Sequence, residues 1–148
     1  MDTLQINNHF HNCSRYLGTF ARDQNKPMLI KNSGIIINTD KWNEPGEHWV
    51  AIYLDSNGVA IYFDSFGLPP IHEEIVNYLK EISPRGFYHN TITLQSIYQD
   101  TCGMYCIYFL SFMFTYKDYH KFLRIFNNHP HINDIVTKLL YKFSKNLY

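Results

Sequence analysis

Apolar positions in the first half of the chain come in short β-branched runs, and in the second half they come at helical spacing. Gly34-Ile35-Ile36-Ile37-Asn38 reads as a buried strand. Lys41 to Gly46 reads as a loop broken by Pro45-Gly46. His48 to Leu54 and Val59 to Phe63 are two further strands, and the Asn57-Gly58 turn signal between them predicts a hairpin ending at Asp64. The first 25 residues read as irregular and polar, apart from an apolar patch at Tyr16-Leu17-Gly18-Thr19-Phe20. Pro69-Pro70 precedes Ile71, Ile75, Leu79 and Ile82, the face of an amphipathic helix that Ser83-Pro84-Arg85-Gly86 ends. Tyr88 to Leu94 alternates as a fourth strand, and a loop from Gln95 to Thr101 leads to Cys102. An apolar helix follows from Gly103, then a helix over Lys117 to Phe126. Asn133-Asp134 reads as the cap of a last helix with Ile135, Val136, Leu139, Leu140 and Phe143 on one face. A central sheet with helices mostly after it is an α+β arrangement.

At 148 residues and 17.6 kDa the chain is the size of one domain, residues 1–148. An aromatic content of 17% excludes general disorder. The 13 basic and 13 acidic residues cancel, so bulk charge does not argue for nucleic acid or a membrane surface. They are unevenly placed: residues 115–148 carry 6 basic and 2 acidic residues, leaving 7 and 11 for the rest. That basic tail, with Lys138, Lys142 and Lys145, is either a solvated helix face or a weak contact for DNA or capsid. Three cysteines without a Cys-x-x-Cys pair fit a reducing compartment. The opening residues lack a basic start and an apolar core, so secretion is not expected. The 11-residue run Met104 to Phe114 is too short to span a bilayer.

Candidate chemistry centres on Cys102. It stands where a loop meets the start of an apolar helix, and unpaired N–H groups there favour a thiolate. Gly103 leaves room for a carbonyl to approach. A cysteine nucleophile needs a base, and the base needs an acceptor that fixes its tautomer. The hairpin supplies both, because His48 opens one strand and Asp64 follows its antiparallel partner. Trp49 is positioned to shield the imidazole. An oxyanion donor completes an acyl-transfer site, and spacing alone leaves Gln95 and Gln99 both open. The pairs His9-Phe10-His11 and His129-Pro130-His131 lack metal-site spacing, so no metal is expected.

Tyr16 to Phe20, Ile37-Asn38-Thr39, Gly46-Glu47-His48-Trp49, Tyr62 to Gly67, Gln95 and Cys102-Gly103-x-x-Cys106 with Phe109-Leu110 carry a family resemblance. From about residue 13 to 114 the chain resembles the adenovirus-type maturation proteases (adenain) and their relatives in Maverick/Polinton transposons and virophages, in the wider clan of the SUMO proteases. The resemblance implies an α+β, papain-like cysteine protease with a central, mostly antiparallel sheet. It implies His48 as base, Cys102 as nucleophile and Asp64 as the imidazole's partner, where adenain has Glu and the broader clan Asp. Gln95, seven residues before Cys102, takes the oxyanion role with the Cys102 backbone N–H. Trp49, Gly103 and Asp100 support the site, although the loop at Asp100 departs from adenain's Gly-Pro-Asn. Cys106 matches a structural cysteine.

The function so implied is cleavage of viral capsid and core precursors after small residues such as Gly, by a monomer in the virion, the infected nucleus or a cytoplasmic virus factory. No cofactor is required by the chemistry. Activation by a peptide or by DNA is an option from the family, but His89-Asn90-Thr91 holds no cysteine for a disulfide-linked activator. Two alternatives accompany this reading: a hydrolase of ubiquitin-like conjugates, and a non-catalytic nucleic-acid or capsid-binding module.

Overall fold

The computed structural model describes residues 1–146 and residue 148. Five strands form one sheet in the order β1 (Tyr16–Ala21), β2 (Ser33–Asn38), β3 (Trp49–Leu54), β4 (Ala60–Phe63) and β5 (Phe87–His89). The helices are α1 (Thr3–His9), α2 (Glu73–Ile82), α3 (Cys102–Tyr116), α4 (Tyr119–Leu123) and α5 (Pro130–Ser144).

The three inner strands are buried throughout, which explains why they read as unbroken apolar runs. Their side chains still alternate. Ile36, Trp49, Ala51, Tyr53, Ile61 and Phe63 face the cluster built on α3, whereas Ile35, Ile37, Val50, Ile52, Leu54 and Tyr62 face Ile75, Tyr78, Leu79 and Ile82 of α2. The sheet therefore lies between two helical layers, and α3 is buried along most of its length.

The α+β class is the one expected, but the sheet is mixed. The pairs β2–β3 and β3–β4 are antiparallel, and the edge pairs β1–β2 and β4–β5 are parallel. The opening segment is also more ordered than its polarity suggests. Asp2 and Gln5 form a reciprocal capping box that starts α1, with Gln5 N–H donating to Asp2 at 2.8 Å and Asp2 N–H to Gln5 at 2.9 Å. The patch at Tyr16 is strand β1. The strand expected over Tyr88 to Leu94 shortens to Phe87–His89, and the helix expected over Lys117 to Phe126 contracts to α4.

The last helix departs most from expectation. Asn133 and Asp134 do not cap it: α5 begins at Pro130, and both lie inside it at 1% and 2% exposure. Ile135, Leu139 and Phe143 do not face the core but are 60%, 50% and 73% exposed. The buried positions are polar because Asn133 and Asp134 bond the loop from Leu94 to Thr101, while the rest of the helix packs along α3.

After β4 the chain turns sharply at Gly67, which has φ +72°. A Cβ there would stand 2.8 Å from the backbone of Ile92, a contact that cannot relax by a rotamer change. Gly67→Ala is expected to cost more than about 1 kcal/mol in urea unfolding, and to loosen the 91–95 segment that the turn packs against.

Candidate active site

The hairpin brings His48 and Asp64 together as its turn predicts. Asp55 organises that turn, its carboxylate accepting from the N–H groups of Asn57 (2.8 Å) and Val59 (2.9 Å). The register that follows pairs Ala51 with Phe63, so the open ends of β3 and β4 lie side by side. His48 Nε2 and Asp64 Oδ1 are 2.9 Å apart. The His48 carbonyl accepts from Thr39 N–H at 2.9 Å, and the imidazole packs on Phe66 at 5.1 Å between ring centres.

Asp64 is buried and held from several sides. Its Oδ1 also accepts from the Phe66 N–H at 2.8 Å. Asn90 grips its backbone: Asp64 N–H donates to Asn90 Oδ1 at 3.0 Å, and Asn90 Nδ2 donates to the Asp64 carbonyl at 2.5 Å. Asn90 is a positioning residue that sequence reasoning missed. Nothing in its local sequence marks it, since it meets Asp64 only through the β4–β5 pairing.

With Nε2 committed to Asp64, Nδ1 is the nitrogen left to Cys102. Burial works against the charged imidazole, but hydrogen bonding to Asp64 and Cys102, with the negative charges of both, overrides it and raises the His48 pKa to about 9. Cys102 opens α3, and the first N–H groups of a helix have no partner within it. Thr101 stands at the N-cap position without a side-chain capping bond. Cys106, one turn on, is fully buried, and its Sγ donates to the Trp49 carbonyl at 3.3 Å. Burial, then the charges of Cys102 and Asp64, push its thiol well up, which makes it a packing residue.

Gln95 is buried behind the site. Its Oε1 accepts from Ser65 Oγ and its Nε2 donates to the Gln99 carbonyl, both at 2.6 Å. The same amide has a second proton to donate. Gln99 contributes its carbonyl to Gln95, while its exposed side chain accepts from Lys138 Nζ at 2.7 Å. Lys138 is exposed, as are Lys142 and Lys145, and from the surface it reaches this loop.

Trp49, Gly103 and Asp100 line a cavity of about 70 Å³ at Cys102, together with Met1, Gly46 and Glu47. The Trp49 indole is mostly buried and donates to the Met1 carbonyl at 3.1 Å. A Cβ on Gly103 would stand 2.9 Å from Met1 Sδ and 3.3 Å from Trp49, so glycine keeps this slot narrow but open. Met1, Gly46 and Trp49 also line a wider cavity of about 430 Å³ bounded by Thr19, Asn38, Trp42 and Glu44. The two cavities share Met1, Gly46 and Trp49 as common walls. Among the described residues no group of three or more His, Cys, Asp or Glu is arranged to hold a metal, and no helix is long and apolar enough to cross a membrane.

Comparison with protein-family models and with curated proteins gives no match. Among solved structures the chain is similar to the ASFV pS273R protease, crystallised as its selenomethionine form, with a TM-score of 0.57 and 23% identity. The match covers 78% of this chain and 43% of that one, so this chain spans less than half the length of the protease. The fold is therefore one that a protease uses. The likeness is to the ASFV enzyme, and the adenovirus-type, transposon and virophage relationships rest on the sequence motifs alone.

The raised His48 pKa has a stability consequence. A group whose pKa is higher in the fold than its ordinary 6.5 stabilises the fold fully below that value, and the contribution is lost as pH rises through about 9. The urea midpoint should fall across this window. NMR should show the His48 imidazole titrating near 9 in the native chain, lower in Asp64→Asn, and lowered to a smaller extent in Asn90→Ala.

Proposed function

We propose that the protein is a cysteine endopeptidase. The observation that carries this reading is the 2.9 Å His48–Asp64 contact, in a hairpin whose free imidazole nitrogen serves a cysteine at a helix start. His48 takes the Cys102 proton, or holds an existing thiolate as an ion pair. The sulfur attacks a peptide carbonyl, and the new oxyanion is met by the Cys102 N–H and the second amide proton of Gln95. His48 then gives its proton to the leaving amine, and water releases the thioester with the same imidazole as base. Asp64 keeps Nε2 engaged throughout, so Nδ1 alone exchanges the proton.

The narrow slot between Met1, Trp49 and Gly103 supports a preference for small residues such as Gly on the substrate beside the scissile bond. We take viral precursor polypeptides as the substrates, on the strength of the adenain-like motifs and of a fold shared with the ASFV protease. The site of action would then be the virion, the infected nucleus or a cytoplasmic virus factory. Activation by a peptide or by DNA is part of the same proposal, with Lys138, Lys142 and Lys145 as the basic contacts for DNA or capsid.

The test is turnover of Gly-containing precursor peptides beside labelling by ubiquitin-like C-terminal probes, each with and without DNA. Peptide cleavage without probe labelling supports the maturation-type substrate; the reverse moves the function to ubiquitin-like conjugates. Cys102→Ala should remove turnover by at least about 1,000-fold, and Gln95→Ala should lower kcat by about 100-fold or more. A Cys102→Ala chain that keeps a salt-sensitive DNA affinity while no form cleaves anything would favour a binding module.

A further inference from the structure

Asn133 and Asp134, on the inner face of α5, reach the segment from Leu94 to Thr101, and Asn133 also exchanges bonds with Asn127. Asp134 is buried, and its Oδ1 accepts from Thr101 Oγ1 at 3.0 Å while its Oδ2 accepts from the Ser96 N–H at 3.2 Å. The Tyr105 hydroxyl lies 3.0 Å from the same Oδ1 and 3.1 Å from the Leu94 carbonyl. Asn133 Nδ2 donates to the Leu94 carbonyl at 3.2 Å, and Lys138 holds Gln99 from the next turn. On its other side the segment is anchored through Ser65, whose carbonyl accepts from Leu94 N–H (2.8 Å) and Gln95 N–H (3.0 Å). Gln95 sits between these two anchors, and Cys102 follows directly.

We infer that Asp134 is a positioning residue for the peptidase site: it clamps the Gln95–Thr101 loop, so that the Gln95 amide and the Cys102 N–H are set toward one oxyanion. The inference rests on the peptidase reading for its purpose. Its physical basis is independent of that reading, because a buried carboxylate holding three donors from one loop and the adjoining helix is costly to leave unpaired. The opposite face of α5 exposes Ile135, Leu139 and Phe143, while the helix also packs along α3 and sets Tyr141 against the core cluster, so the clamp ties the loop to an element that is itself anchored in the core. Thr101 does not use its side chain to cap α3, so its hydroxyl serves the clamp alone.

The experiment compares backbone hydrogen exchange with peptide turnover in Asp134→Ala, Asp134→Asn, Thr101→Val and the surface control Phe143→Ser. Asp134→Ala should speed exchange across residues 95–101 at least tenfold while β3 and β4 stay as protected as in the native chain. Its kcat should fall at least 30-fold with KM within threefold, while the rate of Cys102 alkylation by iodoacetamide, which His48→Ala should slow, should match that of the native chain. Asp134→Asn, which keeps an acceptor for Thr101 and Tyr105, should recover at least tenfold of the lost kcat. Thr101→Val, which removes one bond and leaves the carboxylate, should give a several-fold effect in both readouts, and Phe143→Ser none. Unchanged loop exchange in Asp134→Ala and Thr101→Val overturns the clamp, as does faster exchange spread evenly over the sheet. Fast loop exchange with undiminished turnover overturns its link to the oxyanion. If the native chain cleaves no peptide, the peptidase reading fails by itself, and the exchange data alone then uphold or overturn the clamp.

Discussion

A charged carboxylate with little access to water must be surrounded by donors, and Asp64 is the group around which this molecule is arranged. The Phe66 N–H and the His48 ring supply donors to its side chain, and Asn90 holds its main chain. Each comes from a different part of the chain. The hairpin register, the turn at Gly67 and the parallel pairing of β5 with β4 all have to be correct for Asp64 to be satisfied. The resulting pull on His48 keeps the imidazole charged to about pH 9 in spite of burial, which is the state that stabilises a thiolate.

From Asp64 the constraint passes to the next residue. Ser65 is fully buried and binds Gln95 with its hydroxyl, while its carbonyl holds the main chain at Leu94 and Gln95. The acid and the proposed oxyanion donor are thus neighbours through one residue of chain, although they lie on different elements. α5 closes the same loop from outside. The site is built from four segments: the hairpin ends, the loop from Leu94 to Thr101, the start of α3 at Cys102, and the polar face of α5.

This arrangement explains why helix α5 defies its own hydropathy. A helix packed on side chains buries its apolar stripe. Here Asn133 and Asp134 answer N–H, O–H and C=O groups of the loop from Leu94 to Thr101, so they are inside, and Ile135 and Phe143 are outside. The exposed basic and apolar residues of the same helix give it an outer surface of quite different character.

What the sequence determined alone is whatever depends on neighbours close along the chain. The strand runs, the Asn57-Gly58 hairpin, the meeting of His48 with Asp64 and the cysteine at the start of an apolar helix are all local consequences of period and turn chemistry. The capping box of Asp2 and Gln5 was equally local and would have revealed α1. Tertiary structure decided the rest. The parallel edge pairings, the grip of Asn90 on Asp64, and the inward turn of Asn133 and Asp134 join residues tens of positions apart. An asparagine or aspartate carries no mark of whether it caps a helix, decorates a surface or pins a buried loop; only the donors that folding brings to it make that choice.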